Sequence, residues 1–420
     1  MFDENGWFVK NGKRPMISDI FFYMDSSPPL LAERGPLAGK TIAIQSNLSV
    51  HGWPTNAGSI ALERFVALED ASIIERVKKA GAVIKGSTYM SELGLGLAGD
   101  TGASALTENW VDMVMMTDTM GEPRVSASTM GVYGFKPSYG IVSRYGLIGL
   151  IPSMEGIGIL AKSPEEIASL METIVGRDDR DFSMPECEMP NFSQVHTPRD
   201  TMATLGVVPE CVKTLETDES EAFNEALSTI KKAHFKIREV HIADFDLFRT
   251  VHNVIGAVEA SSSSGKYDGV RYGHRTASAK NWNEMYIKSR AESFGLLIKT
   301  YLFQGAYYQF ENYNAFVNAC RIRRRLKEEV NELYKNVDAL VFPARRQNMN
   351  ASKASTIGEV YDAFALTLLA NVAGQPSVVI PKFIINGKTD LGLQLVGPWL
   401  NDAQLLSIAA GLAHYIEGVK

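Results

Sequence analysis

Apolar positions along the 420-residue chain follow two alternating rhythms. Ile73, Ile74, Val77 and Ala80 recur at helical spacing with charged residues between them, so residues 70–80 are predicted to be a helix stopped by Gly81. Residues 41–44 and 82–84 flank it as short apolar runs and read as strands. This strand–helix–strand order argues for a parallel or mixed sheet and an α/β fold. Ser163, Pro164 and Glu166 form a helix start: a hydroxyl cap, a proline in the first turn and a glutamate that reaches back. That helix is predicted to run to about Val175 and end at Gly176. Further strands are predicted near 205–208, at 236–241 and at 339–342, with helices at 218–232 and 326–334. A last helix over 402–415 has its apolar face at Leu405, Leu406, Ala409, Leu412 and Ala413. Near the N-terminus, Trp7, Phe8 and Val9 read as a short strand between two Asn-Gly turns. The serine run 261–264 reads as a loop, and no internal repeat is evident.

Composition adds a few exclusions. A hydrophobic fraction of 45% supports a large core, and a net charge of −6 argues against a broad nucleic-acid surface. Cys187, Cys211 and Cys320 lie far apart without a CxxC pair, so neither a disulfide framework nor a zinc site is indicated, and a cytoplasmic setting is expected. No run of about 18 apolar residues exists, so no membrane span is expected. The seven histidines show no metal-ligand spacing and read as surface or satisfied core residues. The glycine-rich stretch 94–99 lacks the lysine of a phosphate loop and is discounted.

Several segments carry a resemblance. Residues 35–47, ending in Gln45, Ser46 and Asn47, resemble the opening of the amidase-signature hydrolases. Residues 134–146 are similar to the stretch after that family's nucleophile, and 371–376 and 392–397 to its C-terminal sheet segments. Residues 267–273 and 292–295 look like the A subunit of the tRNA-dependent amidotransferases. The resemblance implies a single large domain over residues 35–420, with a mixed twisted sheet covered by helices on both faces, after an atypical segment over 1–34.

Family members use a serine nucleophile, a relay serine and a lysine base, with backbone N–H groups of a glycine-rich turn holding the oxyanion. A hydroxyl needs such a base to attack, and the developing oxyanion needs preorganised donors. At the positions that the resemblance assigns, this chain holds Gln45 for the lysine and Glu122 for the nucleophile. Glutamine has no proton affinity near neutrality. Met120 replaces a turn glycine and Pro123 removes an N–H. Only seven residues separate Trp110 from Asp118, so the relay-serine loop is missing. Met113, Met115 and Met116 stand there instead, as a plug of the old site or as a partner-facing patch.

The resemblance also implies a remnant ligand pocket containing Asp118, Thr119, Gly121, Arg124, Tyr308, Arg323 and Phe364. Arg323 falls at the family's carboxylate-binding arginine. Phe364 stands where an aspartate binds the ligand's amine, with Asp362 expected to point elsewhere. Neither cofactor nor metal is implied. By analogy with the amidotransferase, partners equivalent to its B and C subunits are expected, with no membrane and no direct nucleic-acid contact. The expected function is a catalytically silent structural, regulatory or binding subunit. Two alternatives stand beside it: a working amidase or amidotransferase subunit with unusual residues, and an amino-acid or amide sensor. Glu122 acting as a base or carboxylate nucleophile is a variant of the former.

Overall fold

Parallel pairing starts at Thr41–Gln45 (β2), whose β-rich run Thr-Ile-Ala-Ile lies between Val83–Thr88 (β3) and Met113–Asp118 (β4). In this computed structural model, residues 16–26, 32–196, 203–271, 273–381, 384–385 and 389–418 are described. The expected strand at Trp7–Phe8–Val9 lies outside them. Phe21–Met24 (β1) adds an antiparallel edge strand to β3. Beyond β4 come Tyr133–Lys136 (β5) and Gly156–Ala161 (β6), both in antiparallel pairings. Thr204–Val207 (β7) and Lys236–Glu239 (β8) pair in parallel, and β7 also runs parallel to Ala339–Pro343 (β9). Ser377–Ile380 (β10), a small ladder of Ile384–Ile385 (β11) with Thr389–Asp390 (β12), and Leu393–Val396 (β13) follow. The main sheet is mixed and eleven-stranded, in the order β1-β3-β2-β4-β6-β5-β10-β13-β9-β7-β8.

Side chains alternate across this sheet and feed two cores. Ile42, Ile44, Met113 and Met115 face one, with the helices Ser72–Lys79, Pro164–Ile174 and Asp402–Gly418 packed over them. Ala43, Val114 and Met116 face the other, under Gly102–Thr107, Glu122–Met130, Leu247–Ser263 and Leu296–Phe310. The chain is thus one large α/β domain with helices on both faces.

Two expectations are corrected. Met113, Met115 and Met116 are neither a plug nor a partner-facing patch; they are fully buried in the central strand β4. Five of the seven residues between Trp110 and Asp118 are spent on that strand, which leaves only Val111 and Asp112 outside it. Ser261 to Ser263 are also not a loop, because they complete the helix Leu247–Ser263. The predicted capping at Ser163 is present, its hydroxyl accepting the Glu166 N–H at 3.3 Å. The helix predicted over 326–334 begins earlier, as Tyr313–Leu333.

Candidate functional site

β4 ends at Asp118, and the chain turns through Thr119, Met120 and Gly121 into the helix Glu122–Met130. Gly121 takes φ 122°, a conformation that favours glycine, and a Cβ there would lie 2.4 Å from Thr367 Oγ1. The turn leaves its N–H groups pointing inward, as helix starts do. Glu122 meets them. Its Oε2 accepts from Thr119 N at 2.7 Å, Met120 N at 2.8 Å and Gly121 N at 3.1 Å. Its Oε1 accepts from Gly96 N at 3.2 Å. The side chain is only 1% exposed. Burial, then the nearby Asp118 carboxylate, pushes the Glu122 carboxyl up to about 8, against the N–H bonds that favour its charged form.

Below the turn lies a buried ion pair. Arg124 Nε and Nη2 donate to the two Asp118 carboxylate oxygens, each at 2.9 Å. Nη1 donates to Thr367 O at 2.9 Å and Gln394 Oε1 at 2.7 Å, and Nη2 also reaches Asn371 Oδ1 at 2.5 Å. Asn371 Nδ2 returns a bond to Asp118 Oδ1 at 2.8 Å. Burial alone would raise the Asp118 carboxyl, but the Arg124 guanidinium outweighs it and holds the carboxyl below its usual range. The network ties the turn to β13 and to the helix Leu368–Ala373, and it leaves Arg124 fully buried.

Gln45 closes the edge of the site. Its Oε1 accepts from Thr117 N at 2.8 Å, and its Nε2 donates to Asp100. Burial pushes the Asp100 carboxyl up to about 6, although the Gly102 N–H and the Gln45 amide work against the shift. The segment from Gly96 to Asp100 therefore touches both positions singled out from the sequence. A buried histidine also meets the turn. His252, fully buried, has Nε2 3.0 Å from Thr119 O and Nδ1 2.9 Å from the Tyr361 hydroxyl. The carbonyl can only accept, so Nε2 carries the proton and Nδ1 accepts. Burial pushes this imidazole down to about 4, so it stays neutral.

Asp118, Thr119, Gly121, Glu122 and Arg124 thus converge in one buried turn. The other pocket residues stand apart from it. Arg323, on Tyr313–Leu333, donates to Val372 O at 2.9 Å and to Ser153 Oγ and O, each at 2.7 Å. Tyr308 stacks edge-on with Tyr307, ring centroids 5.4 Å apart, and packs on the core. Phe364 is fully buried, and only its carbonyl leads to the turn: it accepts from Thr367 Oγ1 at 2.8 Å, a hydroxyl also bonded to Met120 O. Asp362 pairs with Arg249 at 2.5 Å, away from the site as expected.

Gly96, Asp100, His252, Tyr361 and Thr367 complete the site and were not singled out from the sequence. One signal was available for His252, a polar residue at helical spacing from the apolar Phe248 and Ile255. Nothing local marks the others. Among the described residues, no group of three or more His, Cys, Asp or Glu side chains is placed to hold a metal ion, and no helix is long and apolar enough to cross a membrane.

Comparison with known proteins places this geometry. The family described as Amidase matches residues 23–113 and 102–406. The chain is 32% identical over 410 residues to the A subunit of glutamyl-tRNA(Gln) amidotransferase from Natronomonas pharaonis, covering 90% of this chain and 96% of that protein. The corresponding protein from Haloarcula marismortui is 31% identical over 413 residues, with 91% and 96% covered. The crystal structure of its Thermotoga maritima counterpart superposes with a TM-score of 0.77 at 26% identity, over 94% of this chain and 86% of that one. The match across nearly the whole length, in sequence and in fold, makes this chain a member of the amidase family.

Proposed function

We propose that this protein is a catalytically silent member of its family, serving as a non-catalytic component of a larger assembly. One observation carries the reading: the Glu122 carboxyl group occupies the inward N–H groups of Thr119, Met120, Gly121 and Gly96. A substrate oxyanion needs unoccupied donors at that place. The side chain filling them stands where the resemblance puts the nucleophile, and the neighbouring Gln45 accepts no proton. By analogy with the amidotransferase relatives, the partners are chains equivalent to the B and C subunits.

A second reading, a working amidase or amidotransferase component, draws support from the match to such a relative over 90% of this chain. Ammonia release from glutamine and from simple amides separates the two. The silent reading expects no release above buffer, in the purified chain or in any complex captured with it. Turnover abolished by Glu122→Gln would establish the second reading instead.

A further inference from the structure

Leu296, Phe303, Tyr307 and Phe310 are spaced seven, four and three residues apart on the helix Leu296–Phe310, which puts them on one face. They are 80%, 74%, 51% and 80% exposed. The opposite face buries Ile298, Tyr301, Leu302 and Gly305. That face packs on Leu247–Ser263 so closely that a Cβ at Gly305 would lie 1.9 Å from Ala257 O. The helix is therefore held firmly, and its outer stripe is preformed. Tyr313, 56% exposed, opens the next helix three residues after Phe310 and adds apolar surface beside the end of the row. Scattered exposed apolar residues need no explanation, but an aligned row of this size marks a contact surface. A helix apolar on both faces is one that is covered on both.

We infer that the stripe is a two-fold contact with a second copy of this chain. Two features favour a copy of itself. First, Lys299 is the only charged residue on the helix. Lys299 lies between Leu296 and Phe303 on the same face, so a chain of net charge −6 meets its own copy there with no acidic side chain of the helix facing another. Second, the area suffices. At roughly 200 Å² per large side chain, the exposed fractions of the five residues amount to about 700 Å², against the ~800 Å² per partner of a standard interface. Phe303 lies midway along the row, so an antiparallel self-pairing brings Phe303 onto its own copy and Leu296 onto Phe310.

Sedimentation equilibrium of the full chain, from low to high micromolar concentration, tests this. The expected mass is twice the 46.1 kDa of one chain, falling to one chain in Phe303→Glu/Phe310→Glu with unchanged circular dichroism. Phe182→Glu, at a 98% exposed position off the stripe, is expected to leave the dimer intact. A wild-type monomer at every concentration, or a dimer that survives the double substitution, overturns the inference. Should the double variant fail to fold, Phe303→Cys decides. A 303–303 disulfide on mild oxidation supports the pairing, and its absence refutes it.

Discussion

The Glu122 carboxyl group accepts the Thr119 backbone N–H at 2.7 Å, so the turn closes on the side chain that follows it. Glu122→Gln keeps one acceptor but turns an NH2 group, with two hydrogens and no acceptor capacity where the protonated carboxyl has one hydrogen and a remaining lone pair, towards at least one N–H. A loss of about 1–3 kcal/mol is expected from a buried donor left unsatisfied, measured by denaturant unfolding.

The pH dependence of that difference has a fixed sign. Burial and Asp118 raise the folded-state Glu122 carboxyl from 4.5 to about 8. The folded protein then holds the extra proton between these values, so this contribution is complete below pH 4.5 and is lost as pH rises through 8. The stability of wild type relative to Glu122→Gln is expected to fall from pH 5 to pH 8. A relative stability that rises over this range contradicts the assignment. Subtracting the variant removes the other titrating groups, including Asp100 and His252.

Gly121→Ala tests the turn's backbone. Its φ of 122° and the 2.4 Å approach to Thr367 Oγ1 both oppose a side chain. Strain of about 1–3 kcal/mol is expected, together with overpacking of a similar ~1–3 kcal/mol. In a double-mutant cycle, Thr367→Ala should relieve part of the loss, with a coupling above about 0.5 kcal/mol.

Arg124→Met leaves Asp118 charged and unpaired in the core, and about 3–5 kcal/mol of destabilisation is expected. Arg177→Ala is the matched control, since the Arg177–Asp179 pair is 62% and 87% exposed and solvent screens it, so stability should barely change. Chemical unfolding of the two variants side by side separates the cases.

His252 gives a prediction that needs no mutation. Burial lowers the folded-state imidazole from 6.5 to about 4, so the unfolded chain binds a proton first as pH falls. Its stabilising contribution is complete above pH 6.5 and is lost as pH falls towards 4. The His252 ring resonances should stay unshifted from pH 7.5 to pH 5.5; titration within that window contradicts the buried geometry.

The fold was largely legible, because helices such as Ser72–Lys79 and strands such as β2 and β9 announce themselves by period and by turn residues. β4 was not. Its Met-Val-Met-Met core has no alternation, and a short apolar run buried on both faces looks the same as filler until the sheet surrounds it. Within the site, Gln45 and Glu122 stood out because of the residue types expected at their positions. What each touches depends on Gly96 and Asp100, which belong to a segment that carries no chemistry of its own. The Arg124 network joins residues some 250 positions apart, Asn371 and Gln394 among them, and such contacts leave no local trace.

Whether the folded chain holds an activated serine can be read directly, whatever the true amide substrate of a working relative. Intact-mass spectrometry after treatment with a fluorophosphonate probe samples every serine in the folded chain at once. The account predicts an unchanged mass; a stoichiometric single adduct mapped to a serine near the 118–124 turn would contradict it.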